Sequence, residues 1–179
     1  MRVYLRAFEL EDYKNINRWH RDAEIADQTS GNVYFVSSER EKKWVEDKIF
    51  HDEKNLYLAI CLEKNHEMIG YLSIIKIDWR NRQAEWGGLT IGRKDLWNQG
   101  YATESAQLML KHVFFEMGLH RFYGCWLEEH VASMRMAEKL GFKKEGILRD
   151  SVFKNNKFHN QVLMSLLKEE FEAVFSREE

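Results

Sequence analysis

The stretch DLWNQGYATES, Asp95 to Ser105, joins two segments of different character. Before it runs AEWGGLTIG (84–92), apolar and glycine-rich. After it runs AQLMLKHVFFEM, whose apolar residues recur at helical spacing. A helix start presents backbone N–H groups without intrahelical partners and carries partial positive charge. A glycine in the preceding turn lets an anion approach that backbone, and phosphate is the anion such a start holds. Gly100, followed by the small Ala102 and Thr103, fits that geometry. A lone G-x-A fits a plain strand-to-helix loop at least as well, so the turn alone leaves both readings open.

Other residues offer less. Glu128 and Glu129 stand near the end of a strand, where they face solvent or draw a cationic amine. Cys61 and Cys125 are far apart and form no C-x-x-C pair, which argues against a zinc site or a disulfide framework. Cys125 reads as core. His112 and His120 are isolated, and no metal site is expected.

The elements that must position these residues follow from periodicity. RVYLR (2–6) alternates as a strand. DYKNINRWHRDAEIADQ puts Ile16, Trp19, Ala23 and Ile25 on one helical face, and a turn is expected at Ser30-Gly31-Asn32. Ser38 and Glu41 form a capping box ahead of KKWVEDKIF. LYLAICLE (56–63), MIGYLSIIKIDW (68–79) and AEWGGLTIG (84–92) read as an antiparallel meander joined by short loops. A helix runs from Gly100 through Ala106, Leu108, Leu110, Val113 and Phe114 and stops at Gly118. HRFYGCWLE (120–128) follows over a long helical connection, which favours a parallel pair with 84–92. VASMRMAEKL (131–140) is a short helix ended by Gly141. EGILRDSVFK (145–154) and HNQVLMSLLKEEF (159–171) close the chain as a hairpin around Asn155-Asn156. The fold class is mixed α/β (α+β), a largely antiparallel sheet with inserted helices.

Composition bounds the function. The chain has 179 residues, suited to a single domain over 1–179. It is 44% hydrophobic and 31% charged, enough for a globular core. A net charge of −2 argues against a general nucleic-acid binder. The start, MRVYLRAFEL, lacks the apolar run of a signal peptide, and no segment reaches the ~18 apolar residues of a membrane span. The expected location is the cytoplasm.

Taken in order, AEWGGLTI, WNQGYATES, GLHRFYGCWLEEHVAS and AEKLGFKKEGILRD resemble the GNAT acetyltransferase superfamily. The resemblance is strongest to the branch of ribosomal-protein N-terminal acetyltransferases and spermidine acetyltransferases. It is dense from about residue 68 to 165. It implies a GNAT-type sheet in which strands 84–92 and 120–128 splay apart around acetyl-CoA, the cosubstrate. It implies that the pantetheine arm pairs with the backbone of Leu89, Thr90 and Ile91. The pyrophosphate would lie on Trp97, Asn98, Gln99, Gly100, Tyr101 and Ala102, and on Thr103. Asn98 stands where a second glycine is common and Gln99 where Lys or Arg is common, so one cationic side chain is missing. Arg93 and Lys94 supply charge nearby or form a solvated surface pair.

The resemblance also implies catalytic roles. Glu85 is the first choice for general base, acting through a water; the alternative is a structural tie to Arg80 or Arg82. Backbone N–H groups at Leu89 or Thr90 would polarise the thioester carbonyl. The superfamily's tyrosine acid is replaced by Ala137, taken to face the CoA sulfur. Ser133 is the substitute acid, or else an N-cap or a hydrogen-bonding partner of CoA. His130 contacts the pantetheine or the thiol sulfur, or caps the helix. The implied activity is acetyl transfer by direct attack of a primary amine in a ternary complex. The acceptor is a peptide N-terminus, a polyamine or an amino sugar. The segment from about 10 to 50 forms one wall of the acceptor site. The protein is a monomer or homodimer. The rival expectation is a non-catalytic acyl-CoA-binding or sensing domain.

Overall fold

The computed structural model describes residues 1–29 and 35–175. The turn expected at Ser30-Gly31-Asn32 lies outside them. In chain order the elements are β1 (Val3–Ala7), α1 (Tyr13–His20), α2 (Ala23–Asp27), α3 (Ser38–Phe50), β2 (Leu56–Leu62), β3 (Met68–Asp78) and β4 (Gln83–Ile91). Then come α4 (Tyr101–Lys111), β5 (Arg121–Leu127), α5 (Val131–Lys139), β6 (Lys143–Lys154), β7 (Lys157–Leu167) and α6 (Lys168–Phe175). The strands form a mixed sheet in the order β1-β2-β3-β4-β5-β7-β6. Pairing is mostly antiparallel. The parallel pair is β4 with β5, in register from Gln83 opposite Arg121 to Glu85 opposite Tyr123. The long helical connection between these strands required that orientation.

Two compact units divide the chain. The first comprises Met1–Lys76 and Gly87–Leu110. Its core joins Phe8, Ile16, Trp19, Ile25, Val45, Ala59, Cys61 and Met68, with Tyr71 and Trp97 packed against it. The expected single helical face of residues 11–27 is broken in two. Asp22 adopts an extended conformation and its carboxylate accepts from the N–H groups of Glu24 and Ile25. It thereby starts a new helix where the apolar spacing suggested continuity. The start of α3 also differs by one residue. Ser37 is the N-cap and accepts from Arg40 N–H, so Ser38 is already helical and Glu41 is released from capping.

The second unit comprises Ile77–Trp86 and Lys111–Glu179. α4 passes at Lys111 into a π-helical turn, His112–Glu116, which ends before Gly118 at φ +64°. The aromatic core of this unit is Trp86, Phe122, Trp126 and Phe142. The closing hairpin turns at Asn155 and Asn156, φ +51° and +59°, the left-handed pair a two-residue hairpin needs. β7 ends at Leu167, earlier than expected. Lys168–Phe175 is instead a helix that buries Phe171, stacked on Phe114 at 5.1 Å.

Candidate functional site

In the first unit, the chain leaves β4 beside Trp19. A Cβ on Gly92 would fall 2.0 Å from that indole, so only glycine fits there. A 3-10 turn, Lys94–Leu96, follows. The Trp97 indole N–H then donates to the Ile91 carbonyl at 2.7 Å and folds the turn back onto the strand. Asn98 (φ +59°) and Gly100 (φ +86°) both take left-handed backbone, which aims the chain into α4. Glu104 N–H donates to the Gly100 carbonyl at 3.0 Å, making this the first helical bond. The N–H groups of Tyr101, Ala102 and Thr103 therefore precede any intrahelical acceptor. Asn98, Gln99 and Gly100 are exposed and the next three residues half-buried.

Arg2, which sequence reasoning passed over, stands at this turn. Its Nη2 donates to the Gln99 carbonyl at 3.0 Å, its Nε to the Glu104 carboxylate at 3.0 Å, and its backbone N–H to the same carboxylate. The guanidinium lies over the Tyr101 ring at 4.1 Å. A cation thus stands beside Gln99, where a basic side chain is missing from the turn itself. Arg93 and Lys94 are committed elsewhere. Arg93 pairs with Glu67 and Asp95, and Lys94 lies 2.8 Å from both Asp22 and Glu24. The Lys94 ammonium holds the Asp22 carboxyl below its ordinary value.

Upstream, Gly88 takes φ +143°, and a Cβ on Gly87 would fall 2.4 Å from Ser73 Oγ. The AEWGG run needs glycine at both places. Leu89 and Thr90 are half-buried and Ile91 is buried. The Thr90 carbonyl faces β3, 2.2 Å from where a Cβ on Gly70 would be. The Ile91 carbonyl is already engaged by Trp97.

In the second unit, Glu85 is half-buried on β4 opposite Tyr123. His130 occupies the N-cap of α5 without a side-chain capping bond. Ser133 sits inside the first turn, half-buried, and its N–H donates to the His130 carbonyl at 3.1 Å. It is not the cap. Ala137 is fully buried, and its carbonyl accepts from Leu140 and Phe142 as α5 ends. Ala137 was expected to face the CoA sulfur; its side chain is instead wholly enclosed by the protein. Glu129 accepts from His159 Nδ1 at 2.6 Å, and that contact holds its carboxyl below the ordinary range. Glu128 accepts from the Asn160 side chain at 3.0 Å. Among the described residues no His, Cys, Asp and Glu cluster could hold a metal, and no helix is long and apolar enough to cross a membrane.

Residues 2–143 match the family model described as "Acetyltransferase (GNAT) domain". The chain belongs to that family and is an N-acetyltransferase with acetyl-CoA as donor. It is 28% identical over 172 residues to "Uncharacterized N-acetyltransferase p20" of Bacillus licheniformis, covering 95% of each chain. It is 25% identical over 171 residues to the Spermidine N(1)-acetyltransferase of Escherichia coli (strain K12), covering 96% of this chain and 89% of that one. A shorter match, 31% over 106 residues, covers 59% of this chain and 57% of "Putative ribosomal N-acetyltransferase YdaF" of Bacillus subtilis. The fold is similar to that of spermidine N-acetyltransferase from Vibrio cholerae, solved with CoA and spermine. The TM-score is 0.87 at 22% identity, covering 96% of this chain and 98% of that one.

Proposed function

We propose that this protein moves the acetyl group of acetyl-CoA to a primary amine by direct attack in a ternary complex. It would work as one acetyltransferase domain over residues 1–179; the family match draws on residues of both units. The observation that carries the donor half is the start of α4. There, left-handed backbone at Asn98 and Gly100, the first-turn N–H groups and the Arg2 guanidinium converge on one turn. We assign the pyrophosphate to Trp97–Thr103, with Arg2 supplying the cation that Gln99 does not. The pantetheine arm is assigned to Leu89, Thr90 and Ile91.

Direct attack suits the cysteines. Cys61 is buried, and burial pushes its thiol up, away from the thiolate that an acyl-enzyme needs. Glu85 is proposed to meet the acceptor amine and take a proton from it through water. A backbone N–H at Leu89 or Thr90 polarises the carbonyl. Among peptide, polyamine and amino-sugar acceptors, a polyamine has the support of relatives that match along nearly the whole chain.

The test is a panel of amines assayed for release of free CoA: a peptide with a free N-terminus, spermidine and an aminoglycoside. Turnover with at least one is expected, and Glu85→Gln should lower it most at the acid end of the pH profile. Failure to release CoA with any of them, at millimolar acetyl-CoA, sinks the transfer reading.

A further inference from the structure

Within the second unit, the chain leaving β5 is fastened to two neighbouring residues of β7. Glu128 N–H donates to the Asn160 carbonyl at 3.1 Å, and the Asn160 side chain donates back to the Glu128 carboxylate at 3.0 Å. One residue on, Glu129 Oε1 lies 2.6 Å from His159 Nδ1. The other ring nitrogen, His159 Nε2, lies 3.0 Å from the Lys154 carbonyl on β6. The His159 side chain is 8% exposed, and a ring so buried takes its hydrogen bonds from the protein.

Both of those oxygens accept. A backbone carbonyl has no proton to give, so Nε2 carries one and donates it. The Glu129 side chain is half-exposed, and solvent keeps its charge at little cost. The hydrogen bond from His159 holds that carboxyl below its ordinary range. The carboxylate therefore only accepts, and Nδ1 carries a second proton. A neutral imidazole has one N–H and would turn a lone pair toward one of the two oxygens. Facing lone pairs push apart, whereas 2.6 Å is short even for a charge-assisted bond. The charged groups around the ring are Glu129 from the β5–α5 connection, Lys154 from β6 and Lys157 from the start of β7. The Lys154 side chain is buried. Lys157 Nζ stands 3.9 Å from the same Glu129 oxygen and shares that carboxylate with the ring.

We propose that His159 is an imidazolium in the folded protein and acts as a pH-sensitive strap, closing the β5–α5 connection onto the hairpin. Loss of one ring proton to water opens it. The Lys154 carbonyl is fixed in the backbone, while the half-exposed Glu129 can turn to solvent, so the surviving N–H stays on the carbonyl and the Glu129 end lets go. The segment released is Glu129 and the N-cap of α5, His130. The Glu128–Asn160 tie does not titrate through neutral pH and remains. At neutral pH an unfolded histidine, with its ordinary pKa of ~6.5, is mostly neutral, so the folded chain holds the extra proton. The strap therefore contributes most in mildly acidic solution and is lost as pH rises. On the acid side it ends where Glu129 itself takes a proton. None of this depends on the transfer reading.

The test reads the ring directly. NMR of the histidine ring nitrogens is followed from pH 6 to 10 in wild type and Glu129→Gln, together with relaxation of the Glu129–Ser133 amides. His159 is assigned by the resonances lost in His159→Gln, or, should that variant not fold, by those that Glu129→Gln moves. The expected wild-type ring has both nitrogens protonated at pH 7. Glu129→Gln should make one of those protons several-fold easier to lose, the size of effect a half-exposed partner supports. Amide motion at Glu129 and His130 should rise in wild type as the ring deprotonates, and should not vary with pH in His159→Gln, whose amide does not titrate. A single ring proton at pH 7 in wild type overturns the imidazolium, and so does a ring titration unmoved by Glu129→Gln. Amide motion that ignores ring deprotonation overturns the strap.

Discussion

The two units treat polar groups in opposite ways. In the first, backbone and side-chain donors are arranged around a turn and along β4, and each glycine there answers a geometric demand. In the second, the matching stretch of α5 is packing. Ala137 is fully buried, and Trp86, Phe122, Trp126 and Phe142 fill the interior with edge and stacked contacts. The comparison teaches that the turn proposed to hold the donor is built from backbone geometry. The α5 position where the family resemblance implies an acid, Ala137, is part of the core. A thiol of ordinary pKa ~8.5 is a fair leaving group near neutral pH, so that loss is tolerable.

The largest expected effect strikes the first unit. Gly100→Glu places a Cβ in tight contact with Arg2 Nη2, 3.2 Å away, on left-handed backbone at φ +86°, and puts a negative charge at the helix start. Acetyl-CoA binding by calorimetry should fall by at least ~10²-fold, while far-ultraviolet circular dichroism keeps the native spectrum. Parental affinity in that variant would move the cradle elsewhere and dissolve the contrast between the units.

Next comes the second unit. Ala137→Tyr adds a phenol to a site with no exposed surface. Overpacking of this kind costs ~1–3 kcal/mol or more. The melting temperature should drop by several degrees and turnover should not rise. A stable variant with faster turnover would show that α5 presents this position to the cofactor after all.

These two substitutions also mark what could be read in the residues. The hairpin at Asn155-Asn156, the stop at Gly118 and the start of α4 at Gly100 were legible because each needs left-handed backbone, and glycine or asparagine announces it. The parallel β4–β5 pair was legible from the length of its connection. Local ambiguity hid other features. Ser37 and Ser38 are adjacent candidates for one cap, and the S-x-x-E spacing favoured the wrong one. Apolar periodicity runs straight through Asp22, so the break between α1 and α2 left no gap in the pattern. The apolar run of β7 passes into α6 without a turn residue. Distance in the chain hid the rest. Arg2 reaches Gln99 across 97 positions, and His20 meets both Glu41 and Tyr71 through the tertiary fold. An arginine on an alternating strand and a glutamate on a charged helix look like ordinary surface residues until that fold forms.

A smaller effect sharpens the role of Arg2. Arg2→Ala should weaken acetyl-CoA binding several-fold, with a shallower dependence on salt, because one exposed cation is lost from the turn proposed to hold the phosphates. Arg2→Lys should restore part of the affinity, since charge survives while the fork that spans Gln99 and Glu104 does not. Binding unchanged in Arg2→Ala would leave the backbone as sole holder of the pyrophosphate.

The smallest effect asks whether a polar pair in the second unit is structural only. Glu129 bonds His159 Nδ1, and His159 Nε2 lies 3.0 Å from the Lys154 carbonyl, so the pair ties the β5–α5 connection to the closing hairpin. His159 is the first cause of the lowered Glu129 carboxyl, ahead of the Glu129 backbone N–H. A carboxyl lowered by folding contributes stability above its ordinary pKa and loses it as pH falls through its folded value. Glu129→Gln should therefore lower the urea midpoint at pH 7 and converge with wild type as pH falls through the lowered value of the Glu129 carboxyl. Half of the Glu129 side chain is exposed, so solvent screening keeps the difference within the ~1 kcal/mol of a surface pair. Turnover of a cationic amine should stay unchanged. If instead KM for spermidine rises several-fold with no change in the urea midpoint, Glu129 draws the acceptor rather than fastening the hairpin, and the second unit shares in substrate recognition.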